Sequence, residues 1–179
     1  MRKLIVIEAL DAWFAPKSGG DDVVATEREH YAACDALLLG RQTYEDYKGY
    51  WPLQRDAGVG IAGSFNRAEK YVVSSTLTEG DWAHTTVLAG PLAEEVARLK
   101  AREGQEIVAS GSITLVRALI AAGLVDEYRL FVYPVIVGRG RRLFAEGVGS
   151  ALRLADARTF RSGVVLLTYR PMAQGEEAR

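Results

Sequence analysis

The sequence predicts an α/β fold: a central, mostly parallel sheet with flanking helices and an antiparallel hairpin at its C-terminal edge. Three observations predict it. Apolar runs at residues 4–7, 36–39, 71–73, 86–88 and 107–109 lack the alternation of a sheet with one wet face, so they read as strands covered on both sides. Segments of helical period lie between them. The last third changes character and becomes β-rich around Arg161-Ser162-Gly163, a hairpin-like link.

Taken in order, Met1-Arg2-Lys3 followed by an apolar run resembles the start of a signal peptide. The run ends at Glu8 after four residues, too short for such a segment, so a first strand and a cytoplasmic protein are expected. No run approaches the ~18 apolar residues of a membrane span. A helix is predicted over residues 23–34, opened by Asp21 or Asp22 as its cap. The strand at 36–39 stops at Gly40 and presents Arg41 and Thr43 at its carboxyl end, with a short helix running to about Tyr47. The strand at 71–73 runs into Ser74-Ser75-Thr76. Leu92, Val96 and Leu99 mark a helix with Pro91 just before it, Glu94 and Glu95 in its first turns and Arg98, Lys100 and Arg102 in its last.

The strand at 107–109 leads into Ser110-Gly111-Ser112-Ile113-Thr114, after which Leu115, Val116, Leu119, Ile120 and Ala122 form a helix that stops at Gly123. Residues 128–137 read as a long β-rich run interrupted by Pro134. Residues 152–160 and 164–169 form the closing hairpin. A chain of 179 residues without a linker is one domain, assigned to 1–173, and 174–179 is a flexible polar tail.

Composition narrows the chemistry. With 49% apolar residues, 25% charged and a net charge of -1, the chain has no electrostatic footprint for nucleic acid. Cys34 is the only cysteine and His30 and His84 the only histidines, which excludes an internal disulfide and a thiolate zinc cluster and argues against a structural metal. Cys34 reads as a small buried residue and the histidines as surface or packing residues.

Three strand ends carry hydrogen-bond donors, and the carboxyl ends of an open α/β sheet are where ligands bind. The 110–114 turn opens into a helix, so its free amides and the positive helix end can face an anion, and Gly111 permits close approach. The alternative is a plain connection capped by Ser112. Arg41 and Thr43 suit a phosphate, or else a surface carboxylate and a helix cap; Ser74 and Ser75 are also ordinary turn residues. Glu8, in an otherwise apolar strand, is either an edge residue or a buried carboxylate with a shifted pKa. Asp11 is a candidate proton source or a solvated turn residue. Trp51 suits a flat ring or the core, and Trp13 and Phe14 suit a mobile lid or a dimer contact. Arg139, Arg141 and Arg142 read as solvated charge or interface.

Taken together, the segments 37–45, Tyr50-Trp51-Pro52, Phe65-Asn66, 70–74, Ser110-Gly111-Ser112, 123–127 and 134–144 resemble the dihydrofolate reductase-like family, in the form of the reductase domain of bacterial riboflavin biosynthesis, the RibD C-terminal type. The resemblance implies an NADPH-dependent reductase of a small planar heterocycle or related carbonyl or imine, forming a homodimer. It implies that Gly40, Arg41 and Thr43 hold the phosphate-bearing side of NADPH, that Ser74 and Ser75 assist at the ribose phosphate, and that Ser110, Gly111, Ser112, Ile113 and Thr114 cradle the pyrophosphate. Glu8 and Asp11 would be catalytic, with Trp13, Phe14 and Trp51 around the substrate. The family's Ser-Leu-Asp-Gly stands here as Ala9-Leu10-Asp11-Ala12, which motivates a second expectation, a ligand-binding homodimer that kept the fold and lost turnover. A nucleotide-dependent transferase is a third, but the chain lacks a Walker lysine after a glycine loop.

Overall fold

The computed structural model describes residues 1–9, 20–54, 60–136, 138–147 and 149–172, with only the backbone of Ala9. In chain order the elements are β1 (Leu4–Ala9), α1 (Asp21–Ala32), β2 (Cys34–Gly40), α2 (Arg41–Tyr50), a 3-10 turn (Trp51–Leu53) and α3 (Ala62–Arg67). Then come β3 (Glu69–Val73), β4 (Thr85–Leu88), α4 (Leu92–Ala101), β5 (Glu106–Ala109) and α5 (Ile113–Ala121). β6 (Glu127–Val132), β7 (Leu152–Thr159) and β8 (Val165–Pro171) complete the sheet.

The strands lie in the order β4-β3-β2-β5-β1-β6-β8-β7. β4 through β6 run parallel; β8 is antiparallel to β6, and β7 to β8. The absence of alternation in the sequence has its cause here, because each parallel strand feeds two cores. Ile5, Ile7, Leu37, Leu39 and Val108 point to the face covered by α1, α2 and α3, where Tyr31, Tyr44 and Phe65 are buried. Leu4, Val6, Ala36, Leu38, Ile107 and Ala109 point to the other face, where Val96, Leu99, Val116 and Leu119 of α4 and α5 cover them. Neighbouring strand residues face opposite ways, so an unbroken apolar run is what two covered faces require.

Three predicted boundaries change. The helix expected to reach Cys34 ends at Ala32, because Cys34 pairs with Glu106 across the β2–β5 ladder and its thiol donates to the Ala36 carbonyl at 3.0 Å. Asp21 and Asp22 occupy the first turn of α1 instead of its cap, which is Gly20; the Asp22 carboxylate accepts the Arg161 N–H at 3.2 Å and ties the helix to the β7–β8 turn. The β-rich run ends at Val132, and Pro134, which has no N–H to donate, lies outside the ladder. The short α3 has no counterpart in the sequence-based prediction. The hairpin of β7 and β8 forms where expected and closes through the Phe160 N–H to the Val164 carbonyl, 2.9 Å. The expected polar tail lies outside the described residues.

The site follows from strand order. β1 and β2 are consecutive in the chain but leave a slot between them, which β5 fills. The carboxyl ends of β2, β5 and β1 therefore stand side by side, with β3 and β4 continuing beyond β2.

Candidate functional site

The turn after β5 is built around Gly111. Its φ of +72° is a conformation that suits glycine, and an added Cβ would lie 3.0 Å from the Tyr47 hydroxyl and 3.3 Å from Thr43 Cγ2. The turn is thus pressed against the inner face of α2, and only a glycine backbone fits without displacing it. Ser112 occupies the N-cap position of α5, as the alternative reading of the turn had it, but its side chain makes no capping hydrogen bond there. Its hydroxyl accepts the Gly40 N–H at 2.9 Å, which locks the end of β2 to the start of α5. Thr114 and Leu115 follow in the first turn, whose amides have no acceptors within the helix.

Across β2, the ends of β3 and β4 open into a cleft of about 430 Å³ lined by Arg41, Val73, Ser74, Ser75, Thr76, Leu88, Ala89 and Gly90. Arg41 is the first residue of α2 and the cleft's one cation among those residues; it donates to Glu45 one turn on, at 2.9 Å. The Ser74 hydroxyl accepts the N–H groups of Thr76 and Leu77 at 3.2 and 2.9 Å, shaping the loop. That leaves the exposed Ser75 and Thr76 to face solvent in the cleft. One guanidinium among hydroxyls is a phosphate-binding chemistry.

On the face of the sheet covered by α1, α2 and α3 the surroundings are acidic and aromatic. The Tyr31 hydroxyl of α1 donates to the Ser110 hydroxyl at 3.3 Å, and Ser110 is a hydrogen-bond partner of the Tyr47 phenol as well. Burial pushes the Tyr47 phenol up to about 12 and that of Tyr31 well above its ordinary value, and the charge of Glu8 at the end of β1 adds to both. Trp51 stacks on Phe65, with centroids 4.7 Å apart, and Tyr47 meets Trp51 edge-on at 6.2 Å. Trp51 therefore stands in an aromatic cluster at the rim of the core. Glu27 of α1 adds its charge to the cost of ionising Tyr31, and burial raises its own carboxyl to about 7. Burial also raises the phenol of Tyr133, which follows β6.

The structure thus brings Gly40, Arg41, Thr43, Ser74, Ser75, Ser110, Gly111, Ser112, Ile113 and Thr114 to one edge of the sheet, with Glu8 and Trp51 on its acidic flank. Asp11, Trp13 and Phe14 lie outside the described residues. Tyr31, Tyr47 and Glu27 were not singled out from sequence, although Val23, Glu27 and Tyr31 recur four residues apart. An acid interrupting an apolar stripe is a readable signal. The arginine cluster after β6 does more than meet solvent: Arg117 of α5 donates to the Arg142 carbonyl, and Arg141 reaches Thr114 Oγ1 at 3.5 Å. Cys34 is buried and its thiol pushed up to about 12 by burial, far from a nucleophile's value. His30 packs on Phe131, with ring centroids 6.1 Å apart. Among the described residues no group of three or more His, Cys, Asp or Glu side chains is placed to hold a metal, and no helix is long and apolar enough to cross a membrane.

Comparison with known proteins places these features in a lineage. The RibD C-terminal domain family matches residues 12–166. The uncharacterised protein YyaP of Bacillus subtilis (strain 168) is 33% identical over 138 residues, 75% of this chain and 73% of that protein. YwjB of the same organism, also uncharacterised, is 29% identical over 141 residues, 77% and 75% of the two chains. Among solved structures, a pyrimidine reductase-like protein from Corynebacterium diphtheriae superposes with a TM-score of 0.68 at 16% identity, over 97% of this chain and 93% of that one. A diaminohydroxyphosphoribosylaminopyrimidine deaminase/5-amino-6-(5-phosphoribosylamino)uracil reductase from Thermotoga maritima superposes with a TM-score of 0.65 at 15% identity, over 96% of this chain and 57% of that one. At such identities the superpositions speak for the fold.

Proposed function

The chain belongs to the RibD C-terminal domain family, and we propose that it is an NADPH-dependent reductase that transfers a hydride to a small planar heterocycle or a related carbonyl or imine. The observation that carries this reading is the continuity of two anion-binding features along one sheet edge. The Arg41 cleft at the ends of β3 and β4 and the Gly111 turn at the end of β5 are separated by β2. From β4 to β5 is three inter-strand spacings, about 14 Å, a span that suits the phosphate-bearing ribose and the pyrophosphate of one dinucleotide.

The residues fit that group. Arg41 and the hydroxyls of Ser75 and Thr76 would hold the ribose phosphate, Arg41 supplying a planar fork for two of its oxygens. Ser110 to Thr114 would hold the pyrophosphate through backbone amides, with Gly111 supplying the left-handed turn that packs against Tyr47 and Thr43. NADPH, when bound, supplies the hydride. The aromatic and acidic surroundings under α1, α2 and α3, with Glu8, Tyr47 and Trp51, would take the flat acceptor and exclude water from it. We further propose a homodimer, since β7 is an edge strand that exposes Leu154, and Val132 at the end of β6 with Val135 and Ile136 after it are exposed apolar side chains as well.

Titrating the protein with NADPH and NADH by fluorescence, then following NADPH oxidation against pterins, flavin precursors and quinones, tests the reading. Saturable binding with preference for NADPH and turnover of a panel member is the expected result. No NADPH binding at millimolar concentration would refute it, and binding without turnover across the panel would favour a ligand-binding protein of the same fold.

A further inference from the structure

α2 and α5 begin at the same point on the sheet edge. The Gly40 N–H, at the N-cap of α2, donates to the hydroxyl of Ser112, at the N-cap of α5, over 2.9 Å. α2 covers one face of the sheet and α5 the other, so their positive ends meet at this bond from opposite sides. Each end carries about half a positive charge from its unpaired amides. α1 offsets that charge with Asp21 and Asp22 in its first turn, and α4 with Glu94 and Glu95. α2 and α5 have no acid in theirs.

Both receive an arginine instead. Arg41 is the first residue of α2. At α5 the arginine comes from a distant part of the chain: Arg141 Nη1 reaches Thr114 Oγ1, in the first turn, at 3.5 Å. Packing fixes its segment in that place. Arg117 Nε donates to the Arg142 carbonyl at 3.0 Å, Leu143 packs against the core under α4 and α5, and Phe144 meets Tyr128 with ring centroids 6.1 Å apart. Arg142 pairs with Glu146 at 3.4 Å and Arg41 with Glu45 at 2.9 Å. Among the described residues no carboxylate pairs with Arg141, whose partner is the neutral Thr114 hydroxyl. A guanidinium held against the positive end of a helix without a carboxylate is unfavourable by itself. It becomes favourable when an anion with several oxygens lies between the two helix starts.

We propose that Arg141 is a binding residue for the pyrophosphate of the cofactor, reaching it from the α5 side while Arg41 takes the ribose phosphate from the α2 side. The inference rests on the NADPH reading for the identity of the anion. It adds a separation of roles: Arg41 meets the phosphate that distinguishes NADPH from NADH, and Arg141 meets the group that both nucleotides share. The segment after β6 thereby joins the cofactor site.

The test titrates the full chain, by calorimetry, with NADPH, NADH and adenosine 2′-monophosphate, which carries the ribose phosphate and no pyrophosphate. Arg141→Ala is expected to weaken NADPH and NADH by the same factor, about tenfold for one charge-assisted hydrogen bond, and to leave adenosine 2′-monophosphate within about twofold. Arg141→Lys keeps the charge without the planar fork and recovers part of the loss. Arg41→Ala gives the converse pattern, weakening NADPH and adenosine 2′-monophosphate and sparing NADH. Arg141 is exposed, so its variants are expected to keep the wild-type urea midpoint. Unchanged NADH affinity in Arg141→Ala, a loss confined to NADPH, or an equal loss of adenosine 2′-monophosphate would each overturn the proposal and leave the cofactor reading standing. A wild-type chain that binds neither dinucleotide would overturn the cofactor reading, and the role of Arg141 with it.

Discussion

Replacing Arg41 with alanine separates a cofactor role from a surface role. Arg41 heads α2 with its side chain 48% exposed, and its recorded partner is Glu45 at 2.9 Å, four residues on. An exposed pair of that kind contributes only about 0.3–0.5 kcal/mol, so its loss changes folding stability little. A hydrogen bond from the guanidinium to a phosphate is charge-assisted and contributes about 1.5–3 kcal/mol. Releasing Glu45 to make it costs about 0.5 kcal/mol, which leaves a net of about 1–2.5 kcal/mol, or roughly 5- to 70-fold in affinity. Arg41→Ala is therefore expected to weaken NADPH by that factor, to leave NADH within about twofold, and to flatten the salt dependence of NADPH binding. Glu45→Gln, which frees Arg41 beforehand, is expected to tighten NADPH about twofold. Calorimetric titration of both nucleotides at two ionic strengths measures all of this. Equal losses for NADPH and NADH, or no loss for NADPH, would refute the placement of the ribose phosphate in this cleft.

Gly111→Ala forces a side chain into a left-handed backbone and against the Tyr47 hydroxyl, and is expected to cost about 1–3 kcal/mol and to weaken NADPH. Tyr47→Phe removes that oxygen, so the double variant should recover part of the loss in a mutant cycle read by denaturant midpoints. Ser112→Ala deprives the Gly40 N–H of its acceptor and should destabilise the fold by about 1–3 kcal/mol, seen as a lower Tm at unchanged secondary structure. Glu27 gives a pH dependence of defined sign. Its carboxyl is raised from 4.5 to about 7 in the folded state, so between those values the folded chain keeps a proton that the unfolded chain has lost. Stability therefore falls as pH rises through this window and levels off above it. The full shift corresponds to about 3 kcal/mol, which partial exposure reduces to about 1–2 kcal/mol. Glu27→Gln should remove that decline, and urea midpoints measured from acid to alkaline pH check it; a parallel decline in the variant would exclude Glu27 as its source.

The parallel strands were legible because the run Leu37-Leu38-Leu39 and its counterparts at 4–7 and 107–109 feed two cores, and burial on both faces is written locally as an unbroken apolar run. The end of α1 was not, because Ala32-Ala33-Cys34 continues a helical pattern and the event that breaks it is the pairing of Cys34 with the distant Glu106. Nor was α3, whose six residues are too few to establish a period and are held by the burial of Ser64 and Phe65. The same division runs through the site. Gly40, Arg41, Ser74, Ser75 and Gly111 follow directly on strand ends, so their place depends on each strand and the residues just after it, and sequence alone marks them. The acidic flank is assembled from inward faces of α1 and α2, the end of β1 and the segment after β6, which meet only because β5 fills the slot between β1 and β2. Glu27 stands four residues from each of two buried side chains on its own helix, yet its charge also acts on the phenol of Tyr133, which a different strand delivers. An edge made of successive strand ends can thus be read one strand at a time, whereas a flank made of several helix faces becomes visible only when the strand order is known.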